Sequence, residues 1–325
     1  MTRGGIMILF NLKNSAVALG FVFFAVAFVA AQTDDLTTIL QNANLQTQKY
    51  GEEFKNLLAN ETKTFETFDS GGNVKKRTVI ESNFIVFQSE KTTTESVTTE
   101  YRSVTKVNEK AVGDVEKRTA DLFEQIAKAK SVREELDRIQ KESSRYDKNL
   151  EVSGFTLLQA PVLDDNLRSF FEFVIIERET VGGREVFVVG YRQTKQSPNI
   201  LINEKNSNAK GLILNFDANL PDSFKKSDVF LRGKIWIDAQ TFQIWREERE
   251  LTAQKNSETV VLQKSDFEYQ PSDFGILVPK QISLVQNKVK KKDNKFSETK
   301  NQRVEFTYSR FRKSNVDVKI LDDNQ

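Results

Sequence analysis

Two hydrophobic periods alternate along this chain. Over residues 34–60, Leu36, Leu40, Ala43, Thr47, Tyr50, Phe54 and Leu57 recur at steps of three and four, and Ile39 and Leu58 widen the stripe. That spacing puts the apolar residues on one face of a helix. Thr33, Asp34 and Asp35 supply N-cap candidates, while Gly51 weakens the middle, so the stretch reads as one helix or two shorter ones. From Thr62 the period drops to two, with Phe65 on one face and Thr64, Glu66 and Phe68 on the other. The SGGN turn at 70–73, the alternating stretch 74–88 and the Thr-, Val- and Tyr-rich stretch 96–107 complete a predicted antiparallel meander. Helical spacing returns over 116–147 through Leu122, Phe123, Ile126 and Ala129, then Val132, Leu136 and Ile139. Ser131 and Glu134 form an S-x-x-E capping box inside it, which predicts two helices meeting near Lys130.

After a linker at 148–168, holding Gly154, Pro161 and the pair Asp164 and Asp165, the chain is strongly β. Predicted hairpins join 170–178 to 185–193 through Val181-Gly182-Gly183, and 230–238 to 241–251 through Ala239-Gln240. A third joins 259–269 to 275–287 through Pro271-Ser272-Asp273. The basic segment KVKKKDNK at 288–295 reads as a loop before a last strand at 298–310. The total is about ten strands, nearly all hairpin-linked, with no βαβ alternation. The expected fold class is therefore α+β. It is one large antiparallel sheet with an N-terminal helix and an inserted helical pair at about 116–147.

The strands around SFFEFVII and EVFVVGY are apolar on both faces, so both faces need cover. The two helical stretches can cover one. Sheet curling, a second sheet, a lid or a bound apolar ligand would cover the other. Phe171, Phe173, Ile175, Val186, Val188, Ile235, Ile237, Phe242 and Ile244 form a continuous apolar surface if their strands are neighbours, and they are the candidate ligand-binding residues. A filled core is the alternative use of the same residues. Trp236 and Trp245 flank one hairpin at near-mirror positions, either at the mouth of such a groove or in cross-strand packing.

Composition narrows the chemistry. The 325 residues include no Cys and no His. Disulfides, thiolate nucleophiles, Cys/His zinc sites and a His general base are excluded. Residues 1–31 place Arg3 and Lys13 around an apolar patch, then run uncharged as SAVALGFVFFAVAFVAA, with Val29 and Ala31 at −3 and −1 before Gln32. This is the layout of a cleaved secretory signal, and the run falls short of the roughly 20 residues of a spanning helix. An exported, periplasmic protein of residues 32–325, one domain, is expected; a retained N-terminal anchor facing the periplasm is the alternative. No Cys follows the apolar run, so N-terminal lipidation is excluded. The formal charge of +2 belongs to the leader, since losing Arg3 and Lys13 leaves 46 residues of each sign. A neutral chain argues against nucleic acid as a partner.

The order of leader, amphipathic helix and long antiparallel sheet, with the G-K-I-W-I-D-x-x-T-F-x-I-W-R-x-E hairpin from Gly233 to Glu248, resembles the LolA/LppX-like superfamily of outer-membrane lipoprotein carriers. It resembles more nearly a set of exported Acidobacteria-type proteins through KYGEEFKNLLANET (49–62), RTVIESNFIVFQ (77–88), ESSRYDKNL (142–150) and VEFTYSRFRK (304–313). The resemblance spans most of 34–320. It implies a curved half-barrel with helices as a lid, and a hydrophobic cargo.

No catalytic chemistry emerges from the spacing. The glycines form no G-x-G-x-x-G, P-loop or G-x-S-x-G pattern, and no EF-hand loop is present. Asp164 with Asp165, and Asp322 with Asp323, are the adjacent carboxylate pairs considered, and ordinary turn residues explain them as well as acid–base work. Lys288, Lys290, Lys291, Lys292 and Lys295 could meet anionic headgroups or simply face water. The expectation is a non-enzyme without cofactor or metal that binds a lipid, an acyl chain or a lipidated protein. A cell-envelope interaction module with a filled core is the alternative.

Overall fold

The computed structural model describes residues 35–89, 97–147, 154–204, 211–255, 258–292 and 295–313. The expected leader and the pair Asp322 and Asp323 lie outside the described residues. Helix α1 (Leu36–Phe54) buries Ile39, Leu40, Ala43, Tyr50 and Phe54, the predicted stripe, and runs through Gly51 unbroken. It stops before the predicted end at residue 60, because Leu57 already opens strand β1 (Leu57–Phe68). The core-facing positions of β1 are Leu57, Ala59, Glu61, Lys63 and Phe65, all buried. Two charged residues interrupt the period-two apolar signal there, so Leu57 and Leu58 read as more helix.

Strands β2 (Val74–Ser89) and β3 (Val97–Val107) complete the meander, and β4 (Lys110–Ala111) closes that edge. Helices α2 (Val115–Ala127) and α3 (Val132–Ser143) follow, broken where the capping box placed the break: Ser131 Oγ accepts the Glu134 N–H at 3.3 Å and Glu134 Oε2 accepts the Lys130 N–H at 2.8 Å. A short 3-10 turn (Pro161–Leu163) and α4 (Asp165–Arg168) lead into β5 (Phe171–Val181) and β6 (Arg184–Gln193). Their two-residue turn uses Gly182 and Gly183 at φ +58° and +78°, which side chains disfavour. Two three-residue strands, β7 (Ile200–Ile202) and β8 (Leu214–Phe216), make a separate parallel pair too short to show a period. The remaining strands are β9 (Val229–Asp238), β10 (Ile244–Lys255), β11 (Glu258–Gln270), β12 (Val278–Lys292) and β13 (Lys295–Lys313). The 288–295 segment is thus mostly paired strand, with Lys292 opposite Lys295, and not a loop. Likewise β10 starts at Ile244, not residue 241, because Phe242 sits in the turn at φ +59°.

Eleven strands form one curved, unclosed antiparallel sheet in the order β4-β3-β2-β1-β13-β12-β11-β10-β9-β6-β5. The first and last long strands pair in its middle, Thr62 opposite Thr307. Most of the core lies on one face, under α1 and the 160–167 segment. The sequence expectation that both helical stretches share a face is corrected. On β2, Phe84 belongs to the main core, whereas its neighbour Ile85 joins Tyr101, Leu122, Ile126 and Ile139 in a second cluster. Adjacent strand residues point to opposite faces, so α2 and α3 cover the outer face.

Candidate functional site

The nine apolar candidates divide between the two faces. Ile235, Ile237 and Ile244 are 0 % exposed in the main core, and Phe171, Phe173, Ile175 and Phe242 belong to or pack against it. Val186 and Val188 instead point outward, against Trp236, Trp245 and Val181. The proposed continuous surface is corrected at these two positions, and Phe187 and Val189 hold the core-facing places. The β6–β9 register puts Val188 opposite Trp236 and Phe187 opposite Ile237, which turns Val186 and Val188 outward, and a bulge in β5 separates them from Phe171 and Phe173. Val181 pairs with Arg184 and Glu177 with Val188, but Ile175 pairs with Val189, so one extra residue enters β5. Without that residue, Phe171 and Phe173 would share a face with Val186 and Val188; one inserted residue reverses the parity. The tryptophans pack across strands and donate outward, Trp236 Nε1 to Glu179 at 3.0 Å and Trp245 Nε1 to Asp238 at 3.1 Å. They supply the outer cover for β6. The strand β5 is an edge, and its outer residues Val174 and Ile176 stay exposed.

The core face carries charges the periodicity did not reveal. Arg102 on β3 donates from Nε to Glu61 on β1 at 2.8 and 3.0 Å, and from Nη1 to Glu100 at 2.8 Å. Glu100 also accepts the Thr156 N–H at 2.9 Å and the Thr156 hydroxyl. Lys63 Nζ donates to Asp147 at 2.5 Å and lies 4.8 Å from the centre of the Phe65 ring. Burial pulls the Lys63 pKa down, and Arg102 adds to this against the opposing pull of Asp147 and Glu61. Burial alone would raise Glu100, yet Arg102 and the Thr156 hydrogen bonds hold it below its ordinary value. Arg102 is the converse: burial pulls down, but Glu61 and Glu100 hold it well up.

A second buried pair sits on β10. Glu247 accepts two hydrogen bonds from Arg249, at 2.6 and 2.8 Å, and the Ala160 N–H at 3.0 Å. Burial, with the charge of Glu247 next in size, pushes the Tyr191 and Tyr269 hydroxyls up. The two carboxylates Glu100 and Glu247 thereby fix the segment around 154–163 at Thr156 and Ala160. Flanking these two points, Phe155 packs on Phe306 with ring centres 4.7 Å apart, and Val162 and Leu163 are fully buried. Tyr50 of α1 donates to the Thr156 carbonyl at 2.5 Å. The core face is thus roofed by α1 and this segment, and its ion pairs hold the roof down.

An open groove lies on the other face, beside α2. It has a volume of about 490 Å³. Ile85 and Tyr101 form its floor and Val115, Ala120 and Phe123 its helix wall, with Asn83, Ser103, Glu116 and Thr119 as its polar groups. The Thr119 hydroxyl lies 3.3 Å from the Tyr101 hydroxyl and 3.5 Å from that of Ser103. Phe123 is 40 % exposed, and its ring meets Tyr101 edge-on at 6.3 Å. The sequence reading missed the groove, because α2 had been set on the core face. The carboxylate pair in the linker has local roles instead: Asp164 caps α4 by accepting the Asn166 N–H, and Asp165 pairs with Arg168 at 3.2 Å. Among the described residues no three His, Cys, Asp or Glu are grouped to hold a metal ion.

No family model matches the chain, and no curated protein does. Among solved structures, the chain is similar to a DUF1329 family protein from Desulfovibrio piger, at 10 % identity and TM-score 0.37, covering 87 % of this chain and 95 % of that one. It is also similar to an outer-membrane lipoprotein-sorting protein domain from Vibrio parahaemolyticus, at 9 % identity and TM-score 0.32 over 85 % and 94 %. A LolA-superfamily protein from Nitrosomonas europaea follows at 7 % identity and TM-score 0.31 over 83 % and 94 %. At identities and scores of this size none of the three transfers a ligand or a role to this chain.

Proposed function

We propose that this protein is a non-enzymatic binder of an apolar chain, from a lipid or a lipidated peptide, held in the groove between α2 and the β2–β3 outer face. The supporting observation is the contrast between the two faces. On the core face, the expected location, the described side chains pack against one another and are pinned by buried ion pairs. The groove is open, apolar on floor and wall, and within the roughly 300–1,000 Å³ of small-ligand sites. Each methylene entering it gains about 0.8 kcal/mol. The hydroxyls of Tyr101, Ser103 and Thr119 lie where a carboxyl or ester end could be hydrogen-bonded. Action outside the cytoplasm rests on the leader-like residues 1–31.

Titration with a fluorescent twelve-carbon fatty acid tests this reading. Saturable binding is expected, with affinity at least about tenfold lower in Ala120→Trp, whose indole fills the groove from an exposed helix position, a loss of about 1.4 kcal/mol. Wild-type protein that binds no probe, or Ala120→Trp that binds as wild type, overturns it. The roofed core favours a second reading, an envelope interaction module without ligand. That reading takes over if the wild type binds no probe.

A further inference from the structure

The sheet handles its basic residues in two ways. Many are neutralised across strands: Lys106 with Glu81 at 2.9 Å, Arg192 with Glu172 at 2.7 Å, Arg232 with Glu250 at 2.8 Å and Lys264 with Glu248 at 3.8 Å. One end of the sheet differs. There Lys75, Lys76, Lys288, Lys290, Lys291, Lys295 and Lys300 are all exposed, and none forms an ion pair among the described residues. The register brings them together. Thr67 of β1 is flanked by Lys76 on β2 and Gln302 on β13, so those positions are level. Beyond that level β13 continues alone with β12 down to Lys295, an arm of roughly 20 Å at strand rise.

The arm has two unlike sides. On one, Phe296 packs on Phe224 with ring centres 5.0 Å apart and, with Val289, rests against the main core. This anchors the arm, and Lys291, opposite Phe296, lies on this side with its Nζ 5.4 Å from the Phe296 ring centre. On the other, Lys288 opposite Thr299 and Lys290 opposite Ser297 share a face. Among the described residues two acids at this end are engaged: Glu298 accepts the Val261 N–H at 2.7 Å, and Asp69 accepts the Gly71 and Asn73 N–H groups, each at 2.9 Å. Val74, beside the lysines, is 49 % exposed.

We infer that this end of the sheet, the β12–β13 arm with the β1–β2 turn, is a docking surface for an anionic phospholipid membrane. Seven exposed lysines without a carboxylate partner among the described residues gather at this one rigid end, which matches a planar negative surface. Lysine on a flexible stem suits headgroups as a point charge, and the exposed valine can enter the interfacial layer. A nucleic-acid surface would call for exposed aromatic platforms or free arginines. Here Phe296 is turned to the core and the neighbouring Arg77 and Arg303 are held by Glu66. The inference is independent of the groove.

Co-sedimentation of the full chain with vesicles tests it, comparing phosphatidylcholine alone with roughly 3:1 phosphatidylcholine–phosphatidylglycerol. The difference between the two vesicle types is the readout, since the apolar run at 15–31 contributes to both. The wild type is expected to prefer the anionic vesicles and to lose that preference near 1 M salt, where the screening length falls to about 3 Å. Lys288→Gln, Lys290→Gln, Lys291→Gln and Lys295→Gln together should lower anionic partitioning on the order of a hundredfold or more, at roughly fivefold per lysine. A charge-matched control, with Lys106, Lys128, Lys264 and Lys280 changed to Gln, should keep the preference. Equal loss in the control, no loss in the arm variant, or tighter binding of a single-stranded oligonucleotide than of anionic vesicles overturns the proposal.

Discussion

Arg102→Met would show whether the buried charges hold this fold together. Arg102 is 3 % exposed and serves two carboxylates at once, Glu61 and Glu100. Methionine keeps much of the apolar stem but removes the cation, whose guanidinium lies over the Phe84 and Phe306 rings. Taking one partner from a buried ion pair costs about 3–5 kcal/mol, and two carboxylates are left here, so the upper part of that range is expected. For a domain of this size that lowers Tm by roughly 10 °C. The pH dependence separates electrostatics from lost packing. Burial raises the Glu100 pKa, and Arg102 with Thr156 overcomes this to hold it below its ordinary 4.5. A folded pKa below the unfolded one means stabilisation that is full above the unfolded value and lost as pH falls through the folded one. Without Arg102, burial drives Glu100 upward, and protonation then relieves the variant. The gap between wild type and variant is therefore widest near neutral pH, narrows as pH falls towards 4.5 and Glu100 of the variant is protonated, and narrows further below 4.5 as the wild type loses its own stabilisation. Differential scanning calorimetry at neutral and mildly acidic pH measures it. A gap under about 2 °C at neutral pH, or one that does not narrow in acid, refutes the reasoning. Changing Glu61 and Glu100 to Gln alongside Arg102→Met should recover part of the loss, since the stranded charges are gone.

Two further substitutions probe the hairpins that shape the sheet. Gly233 lies beneath the Tyr191 ring, and an added Cβ would run into the Glu248 carbonyl oxygen and come within 2.5 Å of Tyr191 Oη. Gly233→Ala should cost about 1–3 kcal/mol, and a thermal melt matching the wild type would contradict the close approach. Asp238 accepts the N–H groups of Gln240 at 2.9 Å and Thr241 at 2.8 Å, and the Trp245 indole N–H. Asp238→Ala should cost about 1–3 kcal/mol and red-shift tryptophan emission as Trp245 loosens; unchanged emission and melting would count against this role.

Local features carried far in this chain. The capping box at Ser131 marked the α2–α3 break, and Gly182-Gly183 marked a two-residue hairpin. The step-of-three-and-four stripe gave the buried side of α1. The apolar candidates Ile235, Ile237 and Ile244 do share a face. What could not be read locally was decided by distant partners. Glu61 and Lys63 look like solvent-facing strand residues until Arg102 and Asp147 arrive beside them, from 41 and 84 positions away. The groove exists only because α2 lies over Ile85 and Tyr101 rather than over Phe84. The basic arm looked like a loop because its lysines alternate with little apolar contrast, and pairing between β12 and β13 made it strand.

The sequence by itself determined most of the helices and long strands, where most turns fall, and that the chemistry lacks thiol and imidazole. These follow from periodicity and residue type, which act within a few positions. The tertiary structure alone decided which face each side chain occupies. That choice passes through strand register and long-range pairing: the β6–β9 register sends Val186 and Val188 outward with Trp236, and the single extra residue in β5 brings Phe171 and Phe173 to the core face. It also passes through the order of strands, which sets α1 on one face and α2 with α3 on the other, and so places the open groove on the face opposite the main core.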